Sequence, residues 1–204
     1  MKSAHHHLLR AQLEELRPTQ MTIGFAEVEK KRHEWQSLSA KKRKFLINTH
    51  WFPCVIGPKG EYYIVDHHHL GMALHQVKEK EVSLIVLKDL SWLDLDSFWK
   101  YLEFNQWVHP YDESGKRVDF KKIPKSVHLL VDDPYRSLAG IVRDKGGFAK
   151  EQSPFAEFLW ADFFRRRIGA NKLKRSFDLA VQQAILLSHD QEASYLPGWI
   201  NQDK

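Results

Sequence analysis

One stretch limits the folds open to this chain: Tyr62-Tyr63-Ile64-Val65-Asp66-His67-His68-His69-Leu70-Gly71-Met72-Ala73-Leu74. It starts as an apolar, β-prone run and ends at helical spacing, with one carboxylate and three imidazoles at the change. A strand running into a helix in this way points to a mixed architecture, in which strand ends and helix N-termini meet at ligand sites. The first N–H groups of such a helix lack intrahelical partners, and the helix dipole favours an anion in front of them. Phosphate is the natural candidate. Histidines beside it can donate to phosphate oxygens or take a proton near neutral pH. Asp66 can hold a metal ion that bridges phosphates, or act as a base toward a hydroxyl. The plainer reading makes Asp66 a helix cap, with His67 and His69 as surface residues.

A zinc site is not expected from this run. His68 and His69 are adjacent and cannot share a helix face. His68 and His75 lie two turns apart, whereas paired helical ligands lie about four residues apart. His50 can approach from the preceding strand, but the sequence leaves its position open.

The chain has 204 residues, 43% hydrophobic and 12% aromatic, enough for the core of one ordinary domain or one with a helical appendage. Its net charge of +5 suits anionic ligands but falls short of a nucleic-acid-binding signature. A lone cysteine, Cys54, excludes an intramolecular disulfide and fits a reducing compartment. It follows Trp51-Phe52-Pro53 and reads as a small core residue. There is no long apolar span and no signal-peptide h-region, so a cytoplasmic protein without a membrane partner is expected. His5-His6-His7 read as native or as a tag remnant and are left out of the site.

Spacing predicts a helix from about Ala4 to Leu16, ended by Pro18, then a strand over Arg17–Ile23. A helix follows over Phe25–Leu38, with Phe25, Val28, Arg32 and Trp35 on one face. Ser39 caps a short basic helix to Asn48. Phe52–Ile56 and Glu61–Val65 form a hairpin about the turn Gly57–Gly60. A helix over His68–Val77, a doubly buried strand over Ser83–Leu87 and a helix over Leu95–Trp107 come next. His109–Lys125 is turn-rich, and Val127–Val131 is a short apolar run. Asp133 and Pro134 suit the cap and first position of another helix. Ser153-Pro154 opens a helix to about Ile168, and Leu173–His189 forms the last. The sum is an α+β fold: residues 1–110 carry the mixed part, and 111–204 a helical portion packed on it, with the change in the turn-rich stretch from Tyr111 to Pro124.

This order of elements, with Arg17-Pro18-Thr19-Gln20, Val55-Ile56 and Tyr63-Ile64-Val65-Asp66-His67-His68-His69, resembles the ParB/sulfiredoxin fold. In particular it is similar to the putative ParB-like nuclease group of bacterial proteins. Asp132-Asp133-Pro134-Tyr135-Arg136-Ser137-Leu138-Ala139-Gly140 and Glu157-Phe158-Leu159-Trp160-Ala161 extend the likeness over most of the chain. The resemblance implies a small mixed sheet with flanking helices, and nucleotide handling at a strand–helix junction that usually reads Asp-Gly-x-His-Arg. Its members include a CTP-using partition protein, an ATP-using sulfinic-acid reductase and free-serine kinases. By position, Asp66 matches the acidic residue, and His68 and His69 the next polar pair. His67 stands where glycine is usual, and Leu70 where a phosphate-binding arginine is usual. The reductase cysteine has no counterpart, because Cys54 lies in the preceding strand, so that activity is not expected.

Outside the junction, Glu27 and Glu29 fall where the kinase members carry a catalytic glutamate. Gln20 can line the same cleft, and Lys30 or Lys31 can supply the missing positive charge. Asp132, Asp133 and Arg136 make a compact polar group, read either as a further site or as a cap with a local ion pair. Arg165-Arg166-Arg167 with Lys172, Lys174 and Arg175 reads as a solvated basic face rather than a recognition helix.

Two functions follow. The first is a ParB-like enzyme that binds a nucleotide or other phosphate and hydrolyses or transfers it. Asp66, His68 and Glu27 would be catalytic, with His67, His68, His69, Gln20 and Lys30 on phosphate. Its cofactor would be Mg2+ held by Asp66 with a nucleotide, and its partner an anionic small molecule. The second is a non-catalytic module that takes an anion or DNA in the same cleft. No paired-carboxylate metal motif is present to carry nuclease chemistry.

Overall fold

A computed structural model describes residues 7–201. They divide into two compact units: one holds the chain up to Ile23 together with Val28–Val131, the other Gly24–Glu27 together with Asp132 onward. The change of unit thus falls at 131/132 and not within the turn-rich 111–124 stretch. That stretch stays with the first unit because its apolar residues are committed there: Ile123 is buried with Phe98 and Trp99, and Phe120 stacks on Trp99 at 5.5 Å.

The strands are β1 (His7–Gln12), β2 (Leu16–Pro18), β3 (Thr22–Ile23), β4 (Phe52–Ile56), β5 (Tyr62–Ile64), β6 (Glu81–Asp89) and β7 (Val131–Asp132). Five of them form the sheet of the first unit, in the order β1-β6-β4-β5-β2. β1 runs antiparallel to β6, with Leu8 opposite Ile85, and β6 runs parallel to β4, with Phe52 opposite Leu84. β4 and β5 form the expected antiparallel hairpin, with Cys54 opposite Ile64, and β5 runs parallel to β2. Pro53 sits in a central strand, where a missing N–H breaks the ladder. A register shift between Cys54 and Val55 accommodates it, and its carbonyl accepts the Val65 N–H at 2.9 Å.

The expected first helix is a strand instead; residues 4–6 lie outside the described residues. Burial there alternates: Leu8 is 54% exposed, Ala11 only 5%, and Leu13 2%. Period two is the signature of a half-buried strand, and pairing with β6 overrides the helical spacing of the leucines. The predicted strand over Arg17–Ile23 is broken into β2 and β3. Between them, the Thr19 hydroxyl donates to the Ile64 carbonyl at 2.9 Å.

Helices α1 (Phe25–Ser37), α2 (Ala40–Thr49), α3 (His68–Gln76) and α4 (Leu95–Phe104) follow the sequence expectation within a few residues. Ser39 caps α2 by accepting the Lys42 N–H. Alternation along β4 and β5 splits the core. Cys54 and Ile64 pack on one face with Leu16, Trp35, Phe52 and Leu74; Val55 and Tyr63 pack on the other with Phe98, Trp99 and Leu102. Each such burial contributes about 1.5–3 kcal/mol.

The second unit is helical: α5 (Pro134–Asp144), α6 (Ala156–Arg167), α7 (Ala170–Arg175) and α8 (Phe177–Ser188). Asp133 caps α5 as expected, its Oδ1 accepting the Tyr135 N–H at 3.0 Å. α6 starts later than the serine–proline signal suggests. Its N-cap is Phe155 at φ 60°, and Ser153 contributes only its carbonyl, to Ala156 N–H. The single last helix is two, because Ser176 at φ −150° interrupts it. Trp160, Phe163 and Phe164 are the largest buried side chains here, packed with Leu138, Val142 and Ala184. Gly147 is required by that packing, since a Cβ would meet Val142 Cγ1 at 2.4 Å and Ser188 Oγ at 2.7 Å. No helix among the described residues is long and apolar enough to cross a membrane.

Candidate functional site

The hairpin delivers Asp66 and His67 to the start of α3 in the first unit. Asp66 is exposed, and its Oδ1 accepts the N–H of His67 at 2.6 Å. It therefore does not cap α3 from outside. His67 is the N-cap, in the left-handed region at φ 65° and ψ 22°, and its ring makes no capping hydrogen bond. A side chain in that region costs about 1–2 kcal/mol, which is why glycine suits such a position. The ring is held from outside the helix. It packs on His50, the C-cap of α2, with centroids 4.5 Å apart, and meets the edge of Phe52 at 5.7 Å.

Both imidazoles have pKa values below the ordinary histidine value. Burial is the main cause for each. The positive charge of Lys31 on α1 pushes both further down, while Asp66 pulls both up. The pair is therefore neutral at pH 7, and each ring offers one donor and one acceptor.

Beside the pair lies a cavity of about 440 Å³. Its walls are Trp35 of α1, Leu46 and Ile47 of α2, Phe52 of β4, and Leu70 and Leu74 of α3, with Lys31, Glu34, Ser37 and His50 as polar members. Leu70 thus faces a largely apolar space. His50 and Phe52 belong both to the cavity wall and to the packing around His67.

The remaining sequence candidates are dispersed. His68 points into the core: it is 4% exposed, and its Nε2 accepts the Thr19 N–H at 3.1 Å. It holds β2 and α3 together and does not line the open side of the junction. Its spacing to Gly71 and Met72, both buried, is the helical signal that places it inward. His69 is half-buried in the first turn of α3. Gln20 is 7% exposed and donates to the Thr22 carbonyl at 2.9 Å, a use internal to its own segment. Lys30 is exposed on α1, and Lys31 is the lysine that lines the cavity. Glu27 belongs to the second unit, whereas Asp66 belongs to the first. Among the described residues no three histidine, cysteine or carboxylate side chains group as metal ligands.

Asp133 and Arg136 lie in the second unit, within a longer-range network than a cap and local pair. Arg165 Nη2 donates to Asp133 Oδ2 at 2.5 Å and Nη1 to Asp162. Arg136 is 6% exposed, lies 3.6 Å over the Phe158 ring, and has Glu157 at 3.7 Å; Glu157 also pairs with Arg143. Burial lowers the Arg136 pKa to about 10.

A mixed sheet whose hairpin feeds a histidine-rich helix start is the arrangement in which this chain's relatives can be sought. The chain belongs to the family described as Putative ParB-like nuclease, whose model matches residues 5–166. It is also similar to a solved structure, the crystal structure of protein Atu1540 from Agrobacterium tumefaciens. The two are 44% identical, with a TM-score of 0.91 over 97% of this chain and 98% of that one. A comparison with curated proteins found no match.

Proposed function

We propose that this ParB-like protein binds a phosphate-bearing small molecule, nucleotides included, at the junction from Asp66 to His69. The observation that carries the reading is the His50–His67 ring contact at 4.5 Å at the start of α3, with Lys31 and His50 on the wall of the adjoining cavity. Helix N-terminus, imidazole N–H groups and lysine charge together favour an anion. A Mg2+ brought in with the ligand would rest on Asp66 and on the ligand's own phosphate oxygens. The family description and the exposed Asp66 carboxylate support a further step, hydrolysis or transfer of the phosphate. The strand–junction–helix order supports a ParB/sulfiredoxin type of fold, and the single buried thiol of Cys54 suits a reducing cytoplasm.

One observation favours binding without turnover. His68 is turned to the core and Leu70 to the apolar cavity, so two positions that would serve phosphate chemistry are occupied otherwise. DNA as the anion is the corresponding partner.

Melting temperatures with inorganic phosphate, ATP, ADP and CTP, with and without Mg2+, test the proposal on the wild type and on Asp66→Ala. A shift with at least one ligand is expected, and no shift with any of them refutes it. Phosphate release that disappears in Asp66→Ala supports the catalytic step. A shift that persists in Asp66→Ala without turnover supports binding alone. DNA retardation seen only at low salt marks nonspecific attraction.

A further inference from the structure

We propose that the cavity beside the junction takes the apolar body of an amphiphilic anion, an alkyl or aryl group ending in a carboxylate or phosphate. The head-group half of this inference rests on the junction reading above, and the apolar half on the cavity itself.

Its volume of about 440 Å³ falls within the range of small-molecule sites, roughly 300–1,000 Å³. Close-packed interiors leave few spaces larger than a water molecule, and a pocket of this size with apolar walls accepts apolar guests. α2 makes the same point from another direction. It has no buried residue, although Leu46 and Ile47 stand on the cavity wall. Those side chains complete their burial only when something fills the space they face.

The chemistry of the wall selects the occupant. Phe52, Leu70 and Leu74 offer no hydrogen bonds to the ring edges of a nucleobase, Trp35 offers one indole N–H and no acceptor, and most of a polar edge placed against them would lose its partners in water. An alkyl or plain aryl group loses nothing there. At the other end, Lys31 and His50 share the cavity wall, and His50 packs on His67 at the start of α3. A chain lying in the cavity can therefore carry its charged end to lysine, imidazole and helix N-terminus at once. Glu34, one turn along α1 from Lys31 and exposed on the cavity wall, disfavours a second negative charge on the guest.

The test is calorimetric titration of the whole protein with decanoate and decyl phosphate, against decanol, decylammonium and inorganic phosphate. Decanoate and decyl phosphate are expected to bind at least tenfold more tightly than decanol or decylammonium. Leu46→Trp, which fills the cavity from a half-buried position, should weaken decanoate at least tenfold and leave the melting shift with inorganic phosphate unchanged. Lys31→Glu should reverse the preference between decanoate and decylammonium. Failure of both amphiphiles while inorganic phosphate still raises the melting temperature overturns this inference and leaves the junction reading standing. Equal binding of decanol and decanoate overturns the anionic part. Decanoate binding that Leu46→Trp does not touch, with the variant's melting curve normal, places the guest elsewhere and also overturns it. No binding by any probe removes both readings.

Discussion

Replacing Arg165 by methionine isolates the cost of a buried charge left alone. Arg165 serves two carboxylates. Its Nη2 donates to Asp133 Oδ2 at 2.5 Å, and Nη1 donates to Asp162. The Asp133 side chain is 3% exposed, so water cannot replace the guanidinium there. Asp162, at 31%, can be rehydrated in part. After Arg165→Met the main remaining contact of Asp133 is the Tyr135 N–H at 3.0 Å, with the charge of Arg136 nearby as partial compensation. Removing one partner of a buried pair costs about 3–5 kcal/mol, and the residual field of Arg136 points to the lower end. For a chain of this size that is a fall in melting temperature of roughly 6–12 °C. Methionine keeps most of the arginine stem volume, so packing loss contributes little. Urea unfolding of the single variant and of Arg165→Met with Asp133→Asn completes the experiment. Asparagine still caps a helix but carries no charge, so the pair should recover at least half of the loss. A loss below about 1 kcal/mol in the single variant, or no recovery in the double, refutes the argument that uncompensated charge dominates.

Three further outcomes are expected. The His50 and His67 imidazoles are depressed below 6.5 by burial, so between 6.5 and their folded-state values the unfolded chain binds more protons. Stability should therefore drop as pH falls below about 6.5, and His50→Gln with His67→Asn should flatten that drop; urea midpoints at pH 7.5 and 5 would contradict this if the wild type lost no more than the variant. Cys54 is fully buried, and burial raises its pKa to about 12. Its thiol should stay unlabelled by iodoacetamide at pH 8 in the folded protein and react within minutes in urea; rapid labelling of folded protein would contradict the packing. His67→Gly relieves about 1 kcal/mol of left-handed strain but loses the contacts with His50 and Phe52, so its melting temperature should stay within about 4 °C of wild type. A collapse of the fold would show that the imidazole is structural first.

Much of the chain was legible because its signals are local. The Gly57–Gly60 turn between two β-prone runs gave the hairpin, Ser39 gave the start of α2, and Asp133-Pro134 gave the start of α5. What failed depends on partners far along the chain. Leu8, Leu9 and Leu13 fit a helix and a strand equally well until Val82 and Leu84 of β6 are placed beside them. Phe155 caps α6 because it can tuck against Phe158, with ring centroids 5.8 Å apart, a contact no cap rule anticipates. At the junction, the change from strand to helix between Asp66 and His69 could be read, but the inward turn of His68 needed the helical spacing to Gly71 and Met72 to be weighed. The cavity was invisible: Trp35, Leu46, Phe52 and Leu70 come from four separate elements, and nothing in any one of them announces a shared space.

The sheet order also carries a schedule. Among the described residues β1 pairs with β6 alone, and Gln12 and Glu81, which hydrogen-bond across that pair, are 69 residues apart. At synthesis rates of about 5–20 residues per second, the first strand waits roughly 3–14 s on the ribosome before its partner exists. During that interval Leu9 and Ala11 have no strand partner. Shielding of extended hydrophobic segments is therefore expected to help this chain fold, and slowing translation before Asp89 should lower its soluble yield.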